Sequence, residues 1–389
     1  MGYEGQLKVY TWVWILYQLQ GIIYPAGLIG QMLFLIIMAY SIFVMMNVIA
    51  LKNKPKIFTF LTLLVVLYSI YGILRIIQGP VRSVYVEDYS TLTYIKTYLL
   101  SLSPIYVFYY FSYKNALNED WFRKYAFVFL IMSIMIYLHN QLQVRVLTGN
   151  DEITNNAAYG FVALLPLSLF WYKKPIIQYI LIGVAAIFTL LSMKRGAILV
   201  FAISVIPILV ASLKNSKAKT KFLAFVGIFA FVYITYTTVE DLISTSDLFA
   251  LRLEQTLEGQ SSNRDIIYEE LWAAYKNYDP FEAVFGRGAD ASIAIAGKLA
   301  HNDWLETLID QGLLGTLVFL LFWLSMLRTY FKYEKNSVVS TALLVIFLSS
   351  FSRTWFSMSI GQMPIYFTAV LGYCLLKENK KENLKSIKI

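Results

Sequence analysis

Two long apolar runs near the beginning of the chain restrict its fold more than any other feature of the sequence. They read LIGQMLFLIIMAYSIFVMMNVIAL at residues 28–51 and IFTFLTLLVVLYSIYGILRII at residues 57–77. An α-helix rises about 1.5 Å per residue, so about 20 residues cross the roughly 30 Å hydrocarbon core of a bilayer. The chain of 389 residues is 58% hydrophobic and 15% charged, with a mean hydropathy of +0.59. These features predict an all-α, polytopic integral membrane protein.

Comparable apolar segments recur along the chain, and together they predict about twelve transmembrane helices. We expect them at residues 9–23, 28–51, 57–78, 93–112, 125–140, 156–172, 175–192, 196–213, 221–238, 308–330, 338–351 and 359–376. The sequence GIIYPAG interrupts the first segment, so whether that segment crosses the membrane completely is left open. The single cysteine, Cys374, lies in the last segment and cannot form a disulfide within the chain.

The distribution of lysine and arginine predicts which side of the membrane each connection faces. One set of connections is rich in lysine, whereas the alternate set is poor in it, and the positive-inside rule places the lysine-rich set in the cytoplasm. The lysine-rich set includes Lys52, Lys54, Lys56, Lys114, Lys124, Lys173, Lys174, Lys214, Lys217, Lys219, Lys332 and Lys335, together with the basic tail after residue 376. Both termini are therefore expected on the cytoplasmic side of the membrane. Topology accounts for the formal net charge of +9, so no nucleic-acid partner is expected.

This topology places residues 239–303 outside, as one long extracytoplasmic loop within a single polytopic domain of residues 1–389. Residues 261–280 of the loop have apolar residues at helical spacing and predict a helix capped by Ser262. Arg264 lies in the first turn of that helix, where the helix dipole disfavours a cation but where backbone N–H groups favour an anionic ligand. Arg264 is thus a candidate anion ligand, and an ion pair with Asp265 or Glu269 is the alternative.

Four other cations on the outer face are candidate substrate contacts. Lys194 and Arg195 form a tight turn between two predicted spans, against the lysine asymmetry of the chain. Arg287 lies in the Gly-Arg-Gly turn of VFGRGAD, and Arg353 lies near the end of a span. An arginine can bind a phosphate through two parallel hydrogen bonds. The alternative for Lys194 and Arg195 is that both side chains extend along the membrane surface to water.

The stretch AHNDWLETLIDQGLLG, at residues 300–315, contains His301, one of only two histidines in the chain. Asp303 and Glu306 predict a capping box, with Leu305, Leu308, Ile309 and Leu313 facing the helix bundle. His301 is then held just before a capped helix at the membrane surface, where neutral imidazole can accept a proton from a hydroxyl near pH 7. The alternative is a histidine that bonds a neighbouring carbonyl.

No metal or other cofactor is expected. The second histidine, His139, is far from His301 in sequence and is interpreted as an interfacial residue, and the chain has no acidic DxD-type cluster. Glycine-rich nucleotide loops and the common hydrolase motifs are also missing from the sequence.

The combination of SMKRG at residues 192–196, NRDIIY at 263–268, FGRG at 285–288 and HNDWLETLIDQGLLG at 301–315 resembles the superfamily of bacterial O-antigen polymerases and O-antigen ligases. The resemblance covers residues 192–315 and implies a GT-C-like fold in the bacterial inner (cytoplasmic) membrane. It implies a metal-independent, inverting glycosyltransferase that uses a glycan on undecaprenyl diphosphate as donor. Arg195 and Arg264 would hold the diphosphate, and His301 would meet the acceptor hydroxyl; these three are the expected catalytic residues. Lys194, Arg287, Asn302 and Arg353 are the expected substrate-binding residues.

Three functions remain open from the sequence. A polymerase that extends lipid-linked repeat units is favoured, with a glycan or lipid-linked acceptor, membrane lipid around it, and a chain-length regulator protein as a candidate partner. A ligase that transfers the polymer to lipid A-core would use the same residues. A flippase or other transporter of lipid-linked oligosaccharide is the third, although such proteins often have internal repeats that this sequence lacks.

Overall fold

A computed structural model describes residues 2–23, 27–79, 81–83, 86–89, 91–148, 154–214, 264–333, 337–357 and 359–386, with eight isolated positions between 215 and 263. The fold is α-helical. The helices before residue 215 are α1 (Tyr3–Ile23), α2 (Leu28–Ile49), α3 (Ile57–Gln78), α4 (Thr91–Tyr113), α5 (Glu119–Thr148), α6 (Ala158–Ser168), α7 (Pro175–Leu191) and α8 (Arg195–Lys214). Those after residue 263 are α9 (Arg264–Lys276), α10 (Pro280–Phe285), α11 (Ala291–Ala296), α12 (Asp303–Lys332), α13 (Val338–Phe356) and α14 (Ile365–Ser386).

Two short strands depart from the helical prediction. Strands β1 (Val81–Ser83) and β2 (Val86–Tyr89) pair antiparallel, with Val81 opposite Tyr89 and Ser83 opposite Val86. They lie between α3 and α4, so the hairpin connects the ends of two predicted spans.

Six helices of the described part of the chain are long and apolar enough to cross a membrane. They are Leu28–Ile49, Ile57–Gln78, Glu119–Gln143, Arg195–Lys214, Asp303–Lys332 and Val338–Phe356, and three shorter apolar helices are Ala158–Trp171, Pro175–Leu191 and Ile365–Leu376. The predicted number of twelve spans is therefore not confirmed, and the GT-C-like arrangement stays a prediction. The predicted span at 221–238 lies largely outside the described residues, and so do residues 239–263 of the predicted loop.

The chain falls into two compact units. Unit 1 comprises Met1–Leu35, Lys114–Gln260 and Tyr333–Ser349, and unit 2 comprises Ile36–Tyr113, Ser261–Lys332 and Ser350–Ile389.

In unit 1, helix α6 packs against α5, α7 and α8, and its residues Ala158 to Ser168 are almost all buried. Stacked rings join these elements: the ring centroids of Phe122 in α5 and Phe170, just after the end of α6, are 4.2 Å apart, and those of Phe161 in α6 and Phe188 in α7 are 4.9 Å apart. Aromatic pairs of this kind stabilise a core beyond the area that they bury.

In unit 2, α4 packs against α3 and α14, and α12 packs against α3 and α10. Tyr68 of α3 stacks on Tyr98 of α4 with ring centroids 3.7 Å apart. Helix α12 is kinked at Gly312, where φ is 66° and ψ is −162°. The kink separates a first section, Asp303 to Gln311, from the long apolar remainder of the helix.

The kink also changes which side chains of α12 are buried. Ile309 is fully buried as predicted, but Leu313 is 53% exposed, so the prediction that it faces the bundle is wrong. Asp303, Glu306 and Asp310 are buried instead. The non-helical backbone at Gly312 turns the following residues away from the direction that a regular helix would give them.

Candidate functional site

His301 adopts an uncommon backbone conformation two residues before α12. Its φ is 54°, in the left-handed region that residues with a Cβ atom rarely occupy. Its N–H donates to Oε1 of Glu306 at 2.9 Å, while its side chain is exposed. Such strain persists where the surrounding structure determines the backbone. The imidazole is therefore presented to solvent from a constrained turn.

Asn302 caps α12. Its Oδ1 accepts hydrogen bonds from the N–H groups of Trp304 at 3.0 Å and Leu305 at 3.2 Å, and the residue is 8% exposed. The helix begins at Asp303 as predicted, but the predicted capping box between Asp303 and Glu306 does not form. Asn302 supplies the cap, and Glu306 bonds to the N–H of His301 rather than to that of Asp303. Free N–H groups at a helix start favour such an acceptor.

The carboxylate of Asp303 holds a neighbouring turn instead. Its Oδ2 accepts from the N–H groups of Ser359 at 2.8 Å and Ile360 at 3.2 Å. Arg353, which is 8% exposed, donates to the main-chain oxygen of Gln362 at 3.2 Å and to its Oε1 at 2.6 Å. Arg353 thus tethers this turn near the beginning of α12, and its expected contact with substrate stays a prediction.

Arg264 is the first residue of α9 and is partly buried. Its Nη1 donates to the main-chain oxygen of Phe356 at 3.0 Å. One turn later, Tyr268 bonds to the side chain of Asn302; burial raises the pKa of Tyr268, while Asn302 and the charge of Arg264 oppose that rise. Tyr268 therefore connects the helix that begins at Arg264 to Asn302, the residue after His301, within unit 2. The predicted cap of this helix, Ser262, lies outside the described residues.

Helix α9 attaches to the beginning of α12 through its apolar side. Leu271 is fully buried against Ala291, Ala300 and Ile309, and the partly buried residues around them are Ile267, Tyr268, Tyr275, Tyr278, Ile295, Ala296 and Leu305. This cluster keeps Arg264 on a rigid element rather than on a loop.

Arg287 is exposed and is paired within its own segment. Its Nε and Nη2 each lie 3.1 Å from an oxygen of Glu282, and its guanidinium lies 4.4 Å from the ring centre of Tyr278. Glu282 also completes a capping box with Asp279 at the beginning of α10. The side chain is therefore held in one direction by two bonds and a cation–π contact.

The Gly-Arg-Gly turn docks through its backbone on the kink of α12. The N–H of Arg287 donates to the oxygen of Ile309 at 3.1 Å, and that of Gly288 donates to the oxygen of Asp310 at 3.0 Å. A Cβ atom on Gly286 would lie 2.4 Å from the main chain of Asp310, and one on Gly312 would lie 2.5 Å from that of Val284. Both glycines also have positive φ. The FGRG turn at residues 285–288 and the DQG sequence at residues 310–312 therefore pack backbone to backbone, and this close approach requires glycine at positions 286 and 312.

A family model described as O-antigen ligase matches residues 180–320. The chain's resemblance to the O-antigen polymerase and ligase superfamily is confirmed over this segment. The match runs from within α7 to the part of α12 beyond its kink, and so includes six of the seven predicted site residues. It indicates a membrane enzyme of the O-antigen ligase or polymerase type. Among curated proteins, the comparison finds no match.

The matched segment also contains Lys194 and Arg195, which belong to unit 1. They follow Met193, whose φ is 50°, and Arg195 is the first residue of α8. The oxygen of Lys194 accepts from the N–H of Ala197 at 2.9 Å. Asn155 anchors the turn, because its N–H donates to the oxygen of Ser192 at 2.9 Å. The turn is tight as predicted, and both cations are partly buried.

Sequence reasoning missed a polar group in unit 2. Asp310 accepts from the N–H groups of Asp290 and Ser292, both at 3.1 Å, and so caps α11. The Oδ2 of Asp290 lies 3.6 Å from Nε of Arg75. Burial raises the pKa of Asp290 to about 6, and the charge of Arg75 opposes this rise. The sequence did contain one signal of this polar group: Arg75 lies within an apolar run, and a cation there requires a partner. The sequence could not identify that partner.

Among the described residues, no group of three or more His, Cys, Asp or Glu side chains is placed to hold a metal ion.

Proposed function

We propose that this chain is a membrane glycosyltransferase of the polymerase type. Its donor would be a glycan on undecaprenyl diphosphate, and its product would be a glycan extended by one or more repeat units. The observation that carries the proposal is that Tyr268, one turn after Arg264, hydrogen-bonds to Asn302, the residue after His301, inside the segment that matches the O-antigen ligase family.

Arg264 is suited to the leaving group. The bond to Phe356 uses one of the five N–H donors of a guanidinium and orients the group. The remaining donors can bind phosphate oxygens, next to the N–H groups at the start of α9. As the anomeric C–O bond breaks, negative charge accumulates on the diphosphate, and donors placed in advance stabilise it most in the transition state. The same role is proposed for Arg195 from the family resemblance.

His301 is suited to the acceptor. A hydroxyl of the acceptor sugar attacks the anomeric carbon while the neutral imidazole takes its proton, and lipid diphosphate leaves from the opposite face. One glycosidic bond forms and one C–O bond breaks, so the configuration inverts in a single displacement. No metal takes part in this proposed mechanism, and the lipid diphosphate is already an activated donor.

Purified protein with lipid-diphosphate-linked repeat units as substrate tests the proposal. A ladder of longer lipid-linked glycans is expected, and it should be missing with Arg264→Ala protein of normal yield and monodispersity. Transfer only to an added lipid A-core acceptor would identify a ligase. If the active preparation forms no glycosidic bond with either acceptor, the proposed function is wrong, and transport of the same lipid across proteoliposomes becomes the function to measure.

A further inference from the structure

Helix α10, in the segment predicted as the extracytoplasmic loop, exposes one apolar face. Phe281 is 70% exposed, and Val284 and Phe285 are exposed beside it. The rings of Phe281 and Phe285 pack on each other with their centroids 4.8 Å apart. Another side of the helix packs against α12, so the exposed face points away from the bundle. An exposed apolar patch that includes two aromatic rings indicates an interaction surface.

A hydrogen bond to α3 indicates the depth of α10. The hydroxyl of Tyr71 donates to the main-chain oxygen of Phe285. Tyr71 precedes Gln78, the last residue of α3, by about two turns, which is about 10 Å along the helix axis. Helical side chains lean towards the N-terminus of their helix, so this bond does not lie beyond the end of α3. The end of α10 therefore lies beside the apolar part of a candidate membrane span.

Exposed apolar side chains of two candidate spans flank α10. They are Ile73, Leu74 and Ile77 in the last turns of α3, and Leu313, Leu314 and Leu317 after the kink of α12. A Cβ atom on Gly312 would lie 2.5 Å from the main chain of Val284, so the exposed side chains of Val284 and Leu313 start from adjoining backbone. The face of α10 thus continues the apolar surfaces that two membrane helices turn towards lipid.

Polar groups of α10 are paired within the protein, as contact with lipid requires. The Oδ1 of Asp279 accepts from the N–H of Glu282 at 2.7 Å, Pro280 has no N–H, and Tyr71 bonds to the oxygen of Phe285. The carboxylate of Glu282 also lies 3.1 Å from Nε of Arg287. These internal contacts favour lipid over a protein partner, which would supply hydrogen bonds of its own.

We propose that α10 is a membrane anchor, and that Phe281, Val284 and Phe285 insert among the lipid acyl chains of the leaflet around the ends of α3 and α12. A Cβ atom on Gly288 would lie 3.5 Å from Oε1 of Gln78, so the Gly-Arg-Gly turn reaches the end of α3. The anchor fixes this turn at the membrane surface. It would exist with or without the proposed transferase activity, and its test needs no glycan substrate.

Fluorescence quenching in vesicles tests the anchor. In a Cys374→Ser background, a bimane label is placed at Phe281→Cys or Val284→Cys, and the protein is reconstituted in phosphatidylcholine vesicles. One quencher is phosphatidylcholine with a nitroxide on its acyl chain, and the other is iodide on both sides of the vesicle membrane. Ala273→Cys, at an exposed position of α9, is the matched control, and Leu317→Cys on α12 is the lipid-facing reference.

We expect the lipid quencher to act on Phe281→Cys and Val284→Cys as it does on Leu317→Cys. The effect should be at least about 2-fold stronger than on Ala273→Cys, because an interfacial apolar face lies roughly 5–10 Å within the leaflet. Iodide should give the reverse order. Strong iodide quenching with weak lipid quenching would place the face in water and overturn the anchor. Weak quenching by both would show that protein, such as a second copy of this chain, covers the face, and would also overturn it.

Phe281→Asp tests whether the apolar face holds α10 in the leaflet. With the label at Val284→Cys, Phe281→Asp should reduce lipid quenching by about 2-fold, because a carboxylate resists transfer from water into hydrocarbon. Ala273→Asp should leave the quenching unchanged. Equal quenching in both variants would show that packing on α12 alone holds α10 in place, which overturns the anchor.

Discussion

At the scale of single residues, several polar groups of the candidate site already form hydrogen bonds within the protein. The strained turn at His301 is held by Glu306, and Oδ1 of Asn302 accepts from two N–H groups at the start of α12. The imidazole of His301 is exposed, so its substitution should affect catalysis more than folding.

His301→Ala is expected to lower the transfer rate by about 10²–10⁴-fold, the usual effect of removing a general base. Binding of the lipid-diphosphate donor should persist, because Arg264 is unchanged. His301→Gln should retain a larger rate by hydrogen bonding. Rates and donor binding are measured on the same preparations, with His139→Ala as the matched histidine control. Loss of donor binding in His301→Ala would make the histidine a donor ligand instead.

Arg264→Ala should reduce turnover by about 10²-fold or more, because a donor aimed at developing charge acts mainly in the transition state. Arg264→Lys should restore little, since an ammonium cannot reproduce two parallel hydrogen bonds. Arg123→Lys is the control, because Arg123 pairs with Glu119 and Asp120 on the surface of α5. Wild-type turnover in Arg264→Ala, with normal yield, would remove Arg264 from the mechanism. The same pair of substitutions at Arg195 tests its proposed role.

Asp290 should make stability depend on pH. Arg75 from α3, Asp310 from α12 and Tyr94 from α4 face it, and burial raises its pKa from 3.8 to about 6. The folded protein therefore holds this proton more tightly than the unfolded chain. The resulting stabilisation is complete below pH 3.8 and is lost as pH rises through about 6; it amounts to about 3 kcal/mol.

The measurement is the Tm of wild type and Asp290→Asn in detergent between pH 4 and pH 7.5. Asparagine cannot titrate and tolerates the φ of 61° at this position. The Tm of the variant relative to wild type should increase with pH across this range. A difference that does not depend on pH would contradict the raised pKa.

At the scale of elements, the kink of α12 and the Gly-Arg-Gly turn depend on each other. Gly312→Ala would place a Cβ atom 2.5 Å from the main chain of Val284 at a φ of 66°, so we expect destabilisation of about 3 kcal/mol from overpacking and backbone strain together. Gly183→Ala in α7 is the control, because no atom lies within 4 Å of its added Cβ, and alanine favours a helix by about 1 kcal/mol. Thermal unfolding of both variants measures this, and equal Tm values would contradict the contact.

At the scale of the whole molecule, the lysine asymmetry predicts sidedness. An impermeant thiol reagent should label Asn277→Cys, just after the end of α9, in intact cells or spheroplasts, and should label Lys124→Cys on α5 only after permeabilisation. Both positions are exposed, and the native Cys374 is fully buried, so background labelling should be low. The opposite labelling pattern would invert the topology and place the site in the cytoplasm.

Local sequence patterns predicted many of the helices and part of the candidate site. Apolar runs of sufficient length predicted helices, and the residues around His301 predicted a helix beginning at Asp303. The short strands after α3 were not predicted, because a hairpin of three and four residues has little local signal beside two long apolar helices.

The sequence by itself predicted what depends on neighbouring residues: membrane class from run length, a helix start at Asp303, and candidate cations from their predicted position on the outer face. Only the tertiary structure decided which acceptor each polar group uses. Asn302 rather than Asp303 caps α12, because Asp303 is taken by Ser359 and Ile360 more than fifty positions later. Arg75 meets Asp290, and Gly286 meets Gly312, for the same physical reason. A buried polar or backbone group takes the partner that packing brings within reach, and packing is a property of the folded chain rather than of adjacent residues.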